Sequence, residues 1–443
     1  MMIRRLFIAN RGEIALRVAR TAQRLGMTAI LGASQGDAAS LPAMLADEVA
    51  LVGPAPSAQS YLDVDAVIAA AMAARADAIH PGYGFLSENA RFAKAAADAG
   101  IIFVGPDISS LEAMGDKLMA RAVGQAAGLP VVPGGEASTP EEALARARET
   151  GFPVLLKAVA GGGGKGMKRV EREEDLIPMI AMAMAEAQAS FGDPRVYVER
   201  FIASGRHVEV QVLGDGESAI HLGTRDCSIQ RRFQKLVEEA PAPMLPDATR
   251  SGLERAAVAL AKSLHYKGAG TVEFLVDAKT GDFYFLEMNA RIQVEHPVTE
   301  AITGVDLVEQ QLLVAGGARL SLDQDAIRPR GHAIEVRINA EDPEADFRPS
   351  PGTVTRAAWP AGPGIRVDSH IASGGMIPPF YDSLMGKLIV WGEDRPAAVA
   401  RLACALDTLS IEGVASTTSL HRRIAADPRF IAGGVDTRFL EGL

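Results

Sequence analysis

Residues 271–299 read TVEFLVDAKTGDFYFLEMNARIQVEHPVT. The apolar runs on either side of a short polar turn at 278–282 predict an antiparallel hairpin. Pairing centred on that turn sets Glu273 directly opposite Glu287. Side chains alternate with period two. Asn289, Arg291, Gln293 and Glu295 therefore follow Glu287 on one face wherever the chain stays extended. Val272, Phe274, Val276, Tyr284, Leu286 and Met288 are expected on the opposite, core-facing side. Directly opposed side chains sit about 5 Å apart at Cβ, and like charges there repel. At an effective dielectric near 20 the repulsion is about 3 kcal/mol. A divalent cation turns that cost into a site, because two carboxylates and an amide oxygen suit Mg²⁺, which commonly takes substrate phosphates as further ligands. The plainer alternative is the solvated face of an edge hairpin. Exposed hairpins rarely combine such an acid pair with a following Arg, Gln and Glu in register.

The chain has 443 residues, too many for one ordinary core, which predicts two or three domains. Hydrophobic residues make up 48% and charged residues 23%, the balance of a soluble globular protein. A net charge of −10 argues against general nucleic-acid binding. Cys227 and Cys404 are the only cysteines, too few for a disulfide framework and without metal spacing. A cytoplasmic location is expected, with no secretory leader and no membrane span.

Residues 1–115 alternate short strands (6–9, 28–31, 78–80, 101–104) with helices, as βαβ units of a parallel sheet do. The Asn10-Arg11-Gly12-Glu13 turn lies at a strand's carboxyl end, where ligands bind in such sheets, but it is not GxGxxG. A helix at 116–127 follows, with Asp116 as N-cap. Residues 116–330 read as α+β, with a flap subdomain at about 131–203, and 331–443 as a mixed β domain. In 207–213, HVEVQVL, Val208, Val210 and Val212 face one way and His207, Glu209 and Gln211 the other.

Three further stretches bear on chemistry. KAVAGGGGKG at 157–166 lies between two strand-like runs. It is a glycine-rich hairpin flap, unlike a P-loop, which leads into a helix. Glycine lets backbone N–H groups approach phosphate, although a flexible turn would look similar. Lys157, inside an apolar strand, needs an anionic partner. RDCSIQRRFQK at 225–235 is densely cationic, which suits phosphate or carboxylate substrates; alone it reads more readily as a charged surface loop. Cys227 reads as a small buried hydrophobe. HPGYGFLSEN at 80–89 is a tight turn in which His80 serves structure as readily as chemistry.

Taken together, residues 8–16, 80–89, 114–117, 157–167, 207–212, 225–243, 268–274, 283–299, 331–343 and 381–388 resemble the biotin carboxylase subunit of acyl-CoA carboxylases, within the ATP-grasp superfamily. The resemblance implies that Lys117, Lys157, Gly163, Gly164, Glu199, Arg200, Phe201, Ile202, His207, Gln230 and Leu275 contact ATP. It implies that Glu273, Glu287 and Asn289 hold Mg²⁺ or Mn²⁺, two ions in all. Lys235, Arg291, Gln293 and Val294 would bind bicarbonate, with Glu295 as general base. Arg337 would stabilise the biotin enolate and a carboxyphosphate intermediate. Phe233 departs from the histidine frequent in bacterial relatives and removes one phosphate contact. No Met-Lys-Met attachment motif occurs, so biotin is expected on a separate carrier protein, with a separate carboxyltransferase and a homodimeric assembly. Acetyl-CoA is the default final acceptor, with propionyl-CoA, pyruvate and urea systems as alternatives. The rival readings are an ATP-grasp carboxyl–amine ligase, which would lack Arg337 in GHAIEVRINAEDP, and a non-catalytic nucleotide-binding protein, which would have lost Glu287, Asn289 or Glu295.

Overall fold

The structure is a computed structural model and is described over residues 3–159 and 167–443. It opens with parallel strands β1 (Arg5–Ile8), β2 (Thr28–Ser34), β3 (Glu48–Gly53), β4 (Ala78–His80) and β5 (Ile102–Phe103), in the order β3-β2-β1-β4-β5. The helix Gly12–Arg24 springs from the Asn10-Arg11 turn and buries Ile14, Val18 and Ala22 at the expected spacing. Within this sheet, β3 is the strand absent from the sequence reading. It is an edge strand that turns Val49 and Leu51 outward, so it lacks the buried apolar run that marks its neighbours.

A second, antiparallel sheet contains β6 (Gly134–Ala137), β7 (Val154–Ala158), β8 (Lys168–Val170) and β9 (Val196–Arg200), in the order β6-β9-β7-β8. The helices Pro140–Thr150 and Glu173–Phe191 close its apolar face. No helix among the described residues is long and apolar enough to cross a membrane.

The site is built on the third sheet. Its strands β10 (Gly205–Asp215), β11 (Ala219–Arg231), β12 (Gln234–Ala240), β13 (Lys267–Asp277), β14 (Phe283–Asn289) and β15 (His332–Asn339) run in the order β14-β13-β10-β11-β12-β15. The strands Leu384–Gly392 and Ile365–Ser369 extend it beyond β15. Because β12 pairs with β15, this sheet is continuous across residues 330–331. Val208, Val210 and Val212 pack with Val272, Phe274 and Val276 under the helix Asp247–Ser263, as their alternation predicts.

The β13–β14 hairpin forms with Glu273 opposite Glu287, but by a different register from the one expected. Val276 pairs with Phe283, Leu275 with Tyr284 and Phe274 with Phe285. Leu286 is then an extra residue in β14, and pairing resumes at Glu287. Two sequence expectations are corrected here. Phe283 and Phe285, rather than Tyr284 and Leu286, face the core, where Phe274 meets their rings edge-on at 5.6 and 6.4 Å. Leu286 is 39% exposed. The bulge thus places both aromatics in the core while keeping Glu287 on the polar face. Phe285→Ala is expected to cost about 3–5 kcal/mol and Leu286→Ala less than about 1 kcal/mol. Equilibrium denaturation of the two variants measures the difference.

Candidate active site

Four charged residues stand side by side across adjacent strands. Glu287 on β14 pairs with Glu273 on β13, Glu273 with Glu209 on β10, and Glu209 with Arg225 on β11. Three neighbouring carboxylates in a sheet are unstable without cations. Lys235 supplies one. Its Nζ donates to Glu209 Oε2 at 2.6 Å, Glu295 Oε1 at 2.7 Å and Glu273 Oε1 at 2.8 Å. Lys235 reaches this face because Leu236 is an extra residue in β12, opposite the Ile229–Gln230 step, so that Lys235 and Glu238 lie on one side of the sheet. Burial would lower the Lys235 ammonium, but the three carboxylates outweigh it and hold the group well above its usual value. Burial would likewise raise the Glu273 carboxyl, and Lys235 and then His207 reverse the sign and hold it well below the usual range. His207 Nε2 lies 2.9 Å from Glu273 Oε2.

Glu287 faces the open cleft. Partial desolvation by the cleft walls and the neighbouring Glu273 charge push its carboxyl upward. It has no direct cation of its own in the hairpin. Glu273, Glu287 and Asn289 therefore offer oxygen donors toward one cleft, the donor set that Mg²⁺ or Mn²⁺ takes.

Beyond Asn289 the strand ends, so residues 290–295 do not continue the extended alternation expected from the sequence. They form a tight turn that still gathers the expected side chains. Arg291 donates to Asn289 Oδ1 at 2.5 Å and to Gln293 Oε1 at 2.8 Å, and Gln293 Nε2 donates to Glu273 Oε1 at 3.0 Å. Both neighbouring lobes fasten this turn. Glu88 accepts from Ala290 N and Arg291 Nε, each at 2.9 Å. The buried Lys387 donates to the Val294 carbonyl at 2.8 Å. Glu295, fully buried at the head of the helix His296–Thr303, is gripped by Lys235 and by Arg337 Nη2 at 3.0 Å. Burial is outweighed by Lys235, Arg337 and Arg225, which hold the Glu295 carboxyl well below its usual range. Arg337 also donates to Glu238 Oε1 at 2.7 Å.

The same cleft, about 1650 Å³, continues to the flap. Lys157 pairs with Glu199 there, the anionic partner its place in the strand requires. Arg200, Phe201, Ile202 and Leu275 line the wall, with the Arg169 guanidinium 4.1 Å over the Phe201 ring. Lys117 opens the helix Lys117–Ala126, whose N-cap Asp116 accepts from Met119 N at 2.8 Å. Gln230 Nε2 sits 3.3 Å from His207 Nδ1. Gly163 and Gly164 lie outside the described residues. Phe233 occupies the tip of the β11–β12 hairpin at the cleft mouth, 60% exposed, and both it and Arg232 have positive φ.

The cationic segment is not a surface loop for most of its length. Arg225 is wholly buried and donates to Glu209, Gln211, Thr299 and Thr271. Cys227 is buried beside Glu295, with its thiol pushed well up by burial and Glu209. His80 is a structural histidine: burial lowers it to about 4, Gly82 N donates to its Nδ1 at 3.0 Å, and Gln311 lies 3.2 Å from its Nε2. Glu209, Arg225 and Glu238 are site residues that sequence reasoning did not single out. Alternation put Glu209 on the face of His207, but only the strand order reveals that this face adjoins Glu273. Arg225→Met leaves Glu209 buried with one partner fewer and is expected to cost about 3–5 kcal/mol in equilibrium denaturation. Arg225→Lys should recover little, since one ammonium cannot reach four acceptors.

Family models match most of this architecture. The N-terminal domain of biotin carboxylase matches residues 2–111, the ATP-binding domain of the carbamoyl-phosphate synthase L chain 116–323, and the C-terminal domain of biotin carboxylase 335–442. Among curated proteins, a biotin carboxylase of Nostoc sp. is 50% identical over 100% of this chain and 99% of its own. A pyruvate carboxylase subunit of Methanothermobacter thermautotrophicus is 48% identical over 99% of this chain and 90% of its own. Among solved structures, a biotin carboxylase–β,γ-ATP complex from Campylobacter jejuni is 48% identical, with a TM-score of 0.93, over 100% of this chain and 99% of that one. The biotin carboxylase domain dimer of Hydrogenobacter thermophilus 2-oxoglutarate carboxylase, solved with MgADP, ADP and bicarbonate, is 45% identical, with a TM-score of 0.92, over 100% of this chain and 98% of that one.

Proposed function

This chain belongs to the biotin carboxylase family of ATP-grasp ligases, and from that premise we propose how its residues divide the work of carboxylating biotin N1′ with ATP and bicarbonate. The enzyme is an ATP-dependent carboxylase, and its substrates are ATP with Mg²⁺, bicarbonate, and biotin borne on a carrier protein. Glu273, Glu287 and Asn289 would hold the metal ions, which when bound neutralise the transferring phosphoryl group. Lys117, Lys157, Glu199, Arg200, Phe201, Ile202, His207, Gln230, Leu275 and the flap glycines Gly163 and Gly164 would hold the nucleotide. Lys235, Arg291, Gln293 and the Val294 backbone would hold bicarbonate.

The observation that carries this division is the three-way grip of Lys235 on Glu209, Glu273 and Glu295. One ammonium stands between the carboxylates proposed for metal and the carboxylate proposed as base. Glu295 is ionised throughout the neutral range, because its cations hold it down. An anion arriving at Lys235 and Arg337 competes for those cations, which raises the basicity of Glu295 just when the bicarbonate proton must be removed. Glu295 would accept that proton as the bicarbonate oxygen attacks the γ-phosphorus, whose bond to the β,γ-bridging oxygen breaks, giving carboxyphosphate and ADP. Its breakdown releases CO₂ beside biotin, whose N1′ proton passes to the freed phosphate while Arg337 balances the enolate charge.

Biotin carboxylases act with a carrier and a carboxyltransferase; here we propose separate carrier and transferase chains, a homodimer and a cytoplasmic location. Acetyl-CoA is the proposed final acceptor. A pyruvate carboxylase system is the second reading, favoured by the 48% identity to the methanogen's pyruvate carboxylase chain. Phe233 offers no hydrogen bond to a nucleotide phosphate. Bicarbonate-dependent ATP hydrolysis should rise several-fold on adding free biotin, read as phosphate release; hydrolysis that is indifferent to biotin in a folded preparation would reject the assignment.

A further inference from the structure

The large sheet carries a further opposed glutamate pair, apart from the row in the cleft. Glu238 on β12 pairs directly with Glu335 on β15. Both side chains are fully buried. Arg337 takes Glu238 Oε1, but among the described residues Glu238 Oε2 and both oxygens of Glu335 have no hydrogen-bond partner. Three partnerless carboxyl oxygens in one dry place are strongly destabilising if both groups are ionised.

The charged groups around the pair are already committed. Arg337, on the strand of Glu335, is shared between Glu238 and Glu295. Lys235, on the strand of Glu238, holds Glu209, Glu273 and Glu295. Lys387, opposite Arg337 on the next strand, donates to the Val294 carbonyl and to Glu13 Oε1, the latter at 3.0 Å. The helix His296–Thr303 packs across β12, β15 and Leu384–Gly392. Its His296 engages the Gln293 carbonyl through Nδ1 at 2.8 Å and is held neutral by burial, and its Glu300 is taken by Arg17 and Arg366. No cation among the described residues hydrogen-bonds Glu335; Lys387 and Arg337 act on it only through space, and burial outweighs them.

We propose that Glu238 and Glu335 form one acid–carboxylate pair, in which the Glu335 hydroxyl donates its proton to Glu238 Oε2 and the single remaining charge positions Arg337. One proton supplies a donor to Glu335 and a partner to the orphaned oxygen of Glu238, and no bond other than this O–H···O contact is made. Arg337 then keeps a fixed anion on its Nε side and can exchange Glu295 for an incoming anion on the other. Burial pushes both carboxyls up, Glu335 well above its usual value and Glu238 to about 7, and the Glu238 charge adds to the rise at Glu335. The role given to Arg337 rests on the proposed function above; the shared proton does not.

Infrared spectra of the full-length protein at neutral pH test the proton directly. The wild type should show a protonated-carboxyl C=O band that Glu335→Gln removes, and identical spectra would overturn the pair. Glu335→Gln keeps the shape and neutrality of the acid, so it should fold; failure to fold would also overturn the pair. The pH dependence has a definite sign. A carboxyl raised on folding contributes stability below its unfolded value, and that stability is lost as pH rises through the folded value. The melting temperature of the wild type should therefore fall relative to Glu335→Gln as pH is raised above the ordinary carboxyl range, whereas parallel curves contradict the proposal. Glu238→Gln tests positioning: the KM for free biotin should rise by at least roughly tenfold with the KM for ATP unmoved. Equal changes in both would mean that Arg337 is not what the pair holds. If neither enzyme responds to biotin while the band behaves as expected, the functional reading fails and the pair stands.

Discussion

The arrangement of the site follows from one electrostatic constraint: Glu287, Glu273 and Glu209 occupy consecutive positions across three paired strands. Carboxylates at that spacing repel by about 3 kcal/mol per adjacent pair at an intermediate dielectric. Removing them from water without partners costs more. The nearby cations converge on this row. Arg225 caps its buried end, Lys235 spans its middle, and His207 covers the far oxygen of Glu273. Glu287, at the open end, is left without a direct cation among the described residues, and that is where the proposed metal ion would complete the row.

The same constraint explains why three parts of the chain are needed for one site. The turn at 290–295 carries three of the proposed anion-binding and base residues, Arg291, Gln293 and Glu295, yet has no secondary structure of its own. It is held by Glu88 from the N-terminal sheet and by Lys387 from the far end of the large sheet. Glu13, in the first helix, anchors Lys387 in turn. Lys387 and Glu13 are fully buried, so the grip from that side is shielded from water, whereas Glu88 is exposed.

Much of this was legible in the sequence, and the limits are instructive. The Glu273–Glu287 opposition could be read from a turn and a period of two. The Asp116 N-cap and the valine face of β10 were equally local. What could not be read were the bulges. Leu286 and Leu236 each insert one residue and invert the parity of the strand beyond. The first misassigned Tyr284 and Leu286 to the core; the second is what brings Lys235 and Glu238 to one face. Nor could alternation alone show that Glu209 and Arg225 join the row, since strand order is a long-range property. Arg225 looked like part of a solvated loop because its four acceptors lie on three other elements.

An opposed glutamate pair at the end of a carboxylate row is the proposed divalent-cation site. Titrating Mn²⁺ into the enzyme with ADP, with free Mn²⁺ followed by electron paramagnetic resonance, tests it most directly. The wild type should bind Mn²⁺, and Glu287→Gln, with an unchanged circular dichroism spectrum, should bind it at least roughly tenfold more weakly. Unaltered Mn²⁺ affinity in the folded variant would contradict the account.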